Sequence, residues 1–411
     1  MKQTVALLWI LCTPLVLLGE RFDHAMDRLA ERLSFADQSG YWRLQVRGTL
    51  DLEGYFFARP PPGLLRTEGS SLWQPRATVY ADTQAGPSIY GFAQFRVDRG
   101  FDPADQSLEA RVDQFALRIS PWEDGRFNLQ VGQFATVVGQ WNRRHGPWRN
   151  PFITAPLFYE NPTQVHEHQA PGRYASADSE PPESSSGYPG NPVIWGPVYT
   201  TGAAVSGRWP KGTWAVELKN AAPLSSPDYW AWWDVGFSEP TAAWRIAYQP
   251  DLRWEVGLSA ARGAFLSPTA QATLPEGITR GEFSQTLWLL DLGYAHQYWQ
   301  VWVEGMWTAF RGPGMEEKSS QAYFLEIRRK LTPRFSMAAR WNQQFFSLHE
   351  DRVTYQKTRS GTEMRRLDLA ATFRFNAYAQ MQWELGHRWV TPESGESSGR
   401  FSLATRWTLR F

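Results

Sequence analysis

A strict two-residue period constrains this chain more than any other feature. Its last eleven residues, FSLATRWTLRF, put Phe401, Leu403, Trp407, Leu409 and Phe411 on one parity. Ser402, Ala404, Arg406, Thr408 and Arg410 fall on the other. Successive side chains of a strand point to opposite faces, so one face meets an apolar medium and the other a wet one. The same alternation begins after Tyr41. In YWRLQVRGTLDLEGYF the even positions hold Trp42, Leu44, Val46, Leu50, Leu52 and Phe56, with Gly48 and Gly54. The odd positions include Arg43, Gln45, Arg47, Thr49, Asp51 and Glu53. This run is longer than the usual globular strand of about five or six residues and fits a tilted bilayer-spanning strand of about 9 to 11.

Sixteen segments repeat the pattern, near 42–56, 73–82, 88–98, 107–119, 126–138, 199–209, 212–221, 241–249, 252–263, 284–295, 299–309, 321–331, 334–346, 364–375, 378–389 and 400–411. Pro75 makes the second the least regular. Short and long connections alternate. The short ones are 82–87, 121–125, 210–212, 250–251, 296–297, 332–333 and 376–377. A packed soluble β-protein would have shorter strands and no such alternation of loops. The apolar faces recur on strand after strand, and a closed barrel in lipid covers them all without leaving a sheet edge. The expected fold is therefore all-β: a transmembrane antiparallel β-barrel of about sixteen strands with a short N-terminal helix.

Composition agrees. No internal apolar run reaches 18 residues, so helical membrane spans are excluded. Mean hydropathy is low, at -0.46, yet the chain carries 22 Trp. Aromatic girdles and a polar lumen give a barrel this combination. Net charge is +1, which argues against a nucleic-acid binder.

The chain opens like a secretory signal, with Lys2 ahead of the apolar stretch Val5 to Leu18, and residues 1–19 are assigned to it. Cys12, the only cysteine, lies inside that stretch, so a mature chain would have no disulfide. RFDHAMDRLAERLSFADQ, residues 21–38, has Met26, Leu29 and Leu33 at helical spacing. Residues 20–40 are expected to form a short periplasmic helical element, with a plug or an interaction helix as alternatives. The barrel then occupies 41–411, with a long loop at 140–198.

LQVGQFATVVGQWNRRHGPWRNPFITAPLFYE, residues 129–160, resembles a strand-and-loop segment of bacterial outer-membrane porins. The similar parts are Val131-Gly132-Gln133-Phe134, Asn150-Pro151-Phe152 and Pro156-Leu157. LWLLDLGYAHQYWQVWVEGMW, residues 287–307, is similar to their repeated hairpin, with Asp291 and Glu304 on the lumen side. The likeness to phosphate-selective-type and related specific porins runs loosely over 41–411. It implies a passive channel for small hydrophilic solutes in the outer membrane of a Gram-negative-type envelope. It also implies contact with outer-membrane lipid and lipopolysaccharide, and a commonly trimeric assembly. The C-terminal strand ending in Phe411 resembles the signal read by the barrel-assembly machinery. Anion porins of this kind line their pores with lysine and arginine; this sequence shows no residue-by-residue match to such a ladder.

Parity assigns the lumen. Arg43, Arg47, Asp51 and Glu53 face inward from the first strand, and Arg374, Arg388, Arg406 and Arg410 from the last three. Barrel closure gathers these into a wall rich in positive charge. Arg245, Glu255, Asp291, Glu304 and Glu326 face inward farther round, where the acids dominate. Two such walls would set a transverse field, or the charges simply pair and solvate. In the long loop, Arg143, Arg144, His145 and Arg149 form a basic cluster with Trp148. The expected role is a constriction selecting anions; the alternative is an external flap. The Ser/Pro-rich SADSEPPESSSGYPGNP is expected to be an external arch.

Other chemistry is weakly signalled. His166-Glu167-His168 offers two imidazoles, whereas a metal centre takes three or four ligands. Asp98, Asp102 and Asp105 are a candidate calcium set without EF-hand spacing. No G-x-S-x-G, H-E-x-x-H, P-loop or G-x-G-x-x-G occurs, so no cofactor and no enzyme activity is expected. A specific oligosaccharide or anion channel remains an alternative, with Trp302 and Tyr55 as inward aromatics. A barrel enzyme and a plugged structural barrel are the others.

Overall fold

The computed structural model describes residues 19–58, 69–99, 108–169, 190–226, 236–350, 357–359, 361–391 and 398–411. Sixteen long strands among them form one closed antiparallel barrel. They are β1 (Trp42–Phe57), β2 (Ser71–Ala85), β3 (Ile89–Asp98), β4 (Glu109–Ile119), β5 (Asn128–Phe134), β6 (Thr200–Trp209), β7 (Gly212–Lys219), β8 (Thr241–Tyr248), β9 (Trp254–Ala264), β10 (Ser284–His296), β11 (Trp299–Arg311), β12 (Lys318–Lys330), β13 (Phe335–Phe346), β14 (Glu363–Arg374), β15 (Ala379–Thr391) and β16 (Ser398–Arg410). Each pairs with its sequence neighbours, and β16 closes onto β1 with Arg406 opposite Glu53 and Thr408 opposite Asp51. Every segment with the two-residue period is a strand. That includes the second, where Pro75 pairs only with Leu52 of β1 because the pairing with β3 reaches no further than Ala77. A proline is tolerated where the ladder runs on one side only.

Parity divides the barrel as the side chains require. Leu50, Leu52, Val131, Leu218, Ile246, Leu290, Leu369 and Leu403 are exposed on the outside. Their inward neighbours Thr49, Asp51, Glu53, Asp291 and Asp368 are buried. Aromatics ring the outside near both ends. Trp42, Trp209, Trp254, Trp299 and Phe411 lie toward the short turns, and Trp73, Trp307, Tyr323, Trp389 and Phe401 toward the long loops. A continuous apolar belt between aromatic girdles on a closed barrel is a lipid-facing surface.

Several strand ends differ by a few residues from the sequence expectation, as in β2 (Ser71–Ala85 rather than 73–82) and β12 (Lys318–Lys330 rather than 321–331), and two boundaries differ with a structural consequence. The helix, α1, covers Gly19–Arg32 rather than 21–38, and none of its residues is buried. Ser34–Ala36 leave it to pair with Arg43–Gln45 of β1. The cause is stagger. The pairing of β16 to β1 stops at Arg410 opposite Thr49. Phe411 then exchanges two 3.0 Å backbone hydrogen bonds with Gly48, and Val46 N–H donates to the Leu33 carbonyl at 2.9 Å. Residues 33–36 thus cover the overhanging edge of β1, whose backbone groups would otherwise lack partners. The Tyr378 hydroxyl, in the turn between β14 and β15, donates to Asp27 and fixes α1 at the same short-turn rim.

The second difference is β5, which ends at Phe134 rather than 138. The chain leaves the wall there and turns into the lumen. Gly139, at φ +74°, lies where an added Cβ would meet the Tyr159 hydroxyl at 2.8 Å and Glu304 at 3.3 Å. Both the backbone conformation and the space require glycine. Residues 1–18, Asp102, Asp105 and most of the Ser/Pro-rich stretch lie outside the described residues.

Candidate functional site: a loop seated in the lumen

The connection from β5 to β6 crosses the barrel interior and contacts most of the wall. Its apolar residues Val138, Trp141, Phe158, Tyr159, Val193, Ile194 and Val198 pack on inward-facing Ala243, Ala261, Leu287, Leu289, Met306 and Phe324. Phe152 packs on Ala338 and Ala370, and Leu157 on Met364 and Val390. Small or apolar inward residues on β8–β15 thus receive a folded core rather than water.

Carboxylates of the wall hold the loop backbone. Glu304 accepts from the N–H groups of Gln140 (2.8 Å) and Trp141 (2.5 Å) and from the Tyr159 hydroxyl (2.8 Å). Glu384 accepts from the N–H groups of Ile153 (2.5 Å) and Thr154 (3.0 Å). Glu217 accepts from Val137 N–H at 3.1 Å and the Thr136 hydroxyl at 2.5 Å. A loop buried in a barrel needs partners for its amides, and these acids provide them. Buried guanidiniums complete the seat. Arg340 donates to Asp368 at 2.9 Å and to Thr154 O at 3.0 Å, and lies 4.3 Å over the Phe152 ring. Arg366 donates to Asp368 at 3.0 Å and also to Glu160 and Ala155 O.

The inward residues inferred from parity meet different fates. Asp291 and Glu255 are paired with Arg245, at 2.6 and 2.8 Å. Glu326 is paired with Arg144 and Arg340, and Glu304 is spent on the loop. The acidic wall is therefore largely covered, and the simple picture of two opposed charged walls does not describe the lumen. Asp51 is buried and accepts from the Thr408 hydroxyl at 2.6 Å. Arg406 is buried, donating to Gln382 at 2.6 Å and to Phe152 O at 3.2 Å. Arg47 is paired with Asp82 and, with Arg43, borders a cavity at the short-turn rim. Arg388 faces inward opposite Arg400 near the long-loop rim. Arg374 and Arg410 flank Trp148, with Arg374 donating to Trp148 O at 3.3 Å and Arg410 to Ala377 O at 2.6 Å.

The loop's basic cluster also divides. Arg144 is buried against Glu326 and stacks 4.4 Å from the Trp302 ring, a structural position. His145 is enclosed by Trp141 and Tyr199, and burial pushes its pKa down to about 4. It is neutral near pH 7: Nδ1–H donates to Asn142 O at 2.7 Å, and Nε2 accepts from the Tyr199 hydroxyl at 3.0 Å. Arg143 and Arg149 remain exposed, Arg143 lying 3.5 Å from Glu255. Two cavities adjoin this segment, of about 390 and 480 Å³, and both are bordered by Arg143, Trp148 and Arg149.

The remaining candidates are occupied. Tyr55 donates to Glu53 at 2.7 Å and is buried. Asp98 accepts from Arg76 (3.3 Å) and Arg111 (2.6 Å). Glu167 accepts from Asn191 and from Ser226 N–H, both at 2.7 Å. Among the described residues no three of His, Cys, Asp or Glu converge as a metal set. Sequence reasoning missed Glu217, Glu384, Arg340, Arg366 and Asp368. Their inward parity was readable; their loop partners were not.

A closed sixteen-stranded antiparallel barrel with a lipid-facing belt and a loop folded inside is the architecture of the outer-membrane porins. Comparison with solved structures agrees. The outer membrane channel DcaP of Acinetobacter baumannii superposes with TM-score 0.53 at 9% identity, over 92% of this chain and 99% of that one. An anion-selective porin from Comamonas acidovorans gives 0.52 at 8% identity, over 90% and 100%. OmpT, an outer membrane protein of Vibrio cholerae in its trimer form, gives 0.53 at 10%, over 90% and 99%. No family model matches the chain, and no curated protein matches its sequence.

Proposed function

We propose that this protein is a bacterial outer-membrane channel that passes small hydrophilic solutes by diffusion, along polar spaces beside the seated loop. One observation carries the reading: cavities of about 390 and 480 Å³ lined by charged side chains persist at the loop inside a closed, lipid-facing barrel. The loop narrows the lumen, and its exposed Arg143 and Arg149 bias passage toward anions. DcaP is described as a channel and the Comamonas protein as an anion-selective porin, which supports the same reading. A homotrimer is proposed on the likeness to the trimeric OmpT. Residues 1–19 serve as the export signal in this account and Phe411 as the assembly signal. Lipopolysaccharide meets the long-loop rim.

Flux from liposomes tests selectivity. Acetate is expected to leave faster than a cation of similar size. Arg149→Ala removes one exposed charge, worth about 1 kcal/mol at close range in water, so the preference should fall roughly fivefold. An unchanged ratio would remove Arg149 from the selective role. Equal silence toward all solutes would count against the channel itself.

A further inference from the structure

At two of the short turns an exposed arginine carries its own acid. Arg253 lies 2.8 Å from Asp251. Arg126, stacked 4.7 Å from the Trp122 ring, lies 3.6 Å from Asp124. The sector formed by β11, β12 and β13 is built differently. No Asp or Glu occurs from Leu292 to Val303 or from Ile327 to His349. Its short-turn end nevertheless presents Arg329 and Lys330, the last two residues of β12, and Arg334 in the turn to β13, all exposed. Among the described residues none of these three has an Asp or Glu in ion-pairing range. The acids on β11 and β12, Glu304 and Glu326, face the lumen, where the loop backbone and Arg144 engage them. Asp27 of α1 reaches the neighbouring turn, where the Tyr378 hydroxyl donates to it.

Arg329 lies on the lipid side of the wall. Its register neighbours are the outward-facing Trp299 of β11 and Met337 of β13. Its guanidinium stacks 4.9 Å from the Trp299 ring. Stacking on an aromatic face leaves the guanidinium edges free to take a phosphate in a bidentate manner. Tyr298, 65% exposed, and Trp299 belong at headgroup level. Toward the middle of the bilayer the outer face turns apolar. Val301, Ile327 and Ala339 share the next outward rung, and Val303, Leu325 and Trp341 the one after. We infer that this sector holds a binding site for an acidic phospholipid of the leaflet at the short turns. Its phosphodiester sits on Arg329, Lys330 and Arg334, and its acyl chains lie along the apolar rungs. A lipid meets both halves of the surface, and a free phosphodiester meets only the basic one. A zwitterionic lipid brings an ammonium that the three cations repel. Each basic side chain at headgroup level is worth about 1 kcal/mol, or about fivefold, toward an acidic lipid.

The site needs the lipid-facing barrel and not conduction, so a barrel silent in bilayers leaves it standing. Native mass spectrometry of the full folded barrel in non-ionic detergent tests it. The probes are dioleoyl phosphatidylglycerol, phosphatidylcholine with the same chains, and glycerophosphoglycerol, which is the acidic headgroup without chains. Phosphatidylglycerol is expected to be retained about tenfold better than phosphatidylcholine, and the bare headgroup is expected to be lost. Arg329→Ala combined with Arg334→Ala should lower retention of phosphatidylglycerol about tenfold or more. Phosphatidylcholine should be unaffected by that change. Arg253→Ala, which removes an arginine already paired with Asp251, should alter neither. If the double variant does not fold, Arg334→Ala alone, at an exposed turn position, should lower retention of phosphatidylglycerol about fivefold. Equal retention of the two lipids, or no loss in either variant, overturns the site. Retention of the bare headgroup as firm as that of the whole lipid would make the ligand a free phosphodiester and overturn the lipid site.

Discussion

Replacing Arg340 with alanine is expected to unseat the far limb of the loop while leaving the barrel folded. Arg340 is wholly buried on β13. Its guanidinium serves three acids: Asp368 at 2.9 Å, Glu326 at 3.4 Å and Glu384 at 3.5 Å. It also holds Thr154 through the carbonyl and, at 2.7 Å, the hydroxyl. Removing one partner of a buried ion pair costs about 3–5 kcal/mol, because the other charge is left uncompensated. Here Asp368 keeps Arg366 and Glu326 keeps Arg144, while Glu384 loses its ion-pair partner, so the cost belongs within that range. Lysine keeps the charge but not the planar fork, and Arg340→Lys should recover only part of the loss. Amide hydrogen exchange in detergent measures the outcome. The N–H groups of Ile153, Thr154 and Ala155, bonded in the parent to Glu384 and Glu160, should exchange faster in the alanine variant and stay protected in the parent. Protection unchanged by Arg340→Ala would show that the seat does not depend on this cation.

Glu304→Ala should have an effect of similar size at the other limb. Three donors converge on this carboxylate, from residues 140, 141 and 159. Each buried donor left unsatisfied costs about 1–3 kcal/mol, so the total falls near 3–9 kcal/mol before relaxation or water entry reduces it. Glutamine returns one acceptor but presents an NH₂ to the remaining donors, so Glu304→Gln should be intermediate. The strand ladder does not pass through either side chain. Both variants should therefore retain the heat-resistant electrophoretic mobility of a folded barrel, and both should conduct more than the parent. A fall in conductance on release of either limb would contradict a loop that narrows the path.

The barrel was legible because its signal is local. A two-residue period needs no partner to be seen, and all sixteen segments that carry it are strands. The boundaries that moved did so for non-local reasons. Residues 34–36 became a strand because β1 overhangs β16, and β5 ends early because the chain must turn inward toward Gly139. The loop seat was legible only in part. Parity placed Glu304 and Glu326 inside, but their loop partners lie far away in sequence: Tyr159 is 145 residues from Glu304, and Glu326 meets Arg144 of the same loop. No spacing encodes such a meeting. The cluster Arg143, Arg144, His145 and Arg149 looks uniform as a sequence, yet the fold buries Arg144 on Glu326, keeps His145 neutral and leaves Arg143 and Arg149 exposed. Three-dimensional enclosure, which composition does not carry, separates them.

Single-channel recording in a planar lipid bilayer, under a salt gradient, tests the central claim most directly. The parent protein is expected to show discrete steps with a reversal potential on the anion-preferring side, and Glu304→Ala is expected to show larger steps. A folded barrel that inserts and stays silent, in the parent and in both loop-releasing variants, would contradict it.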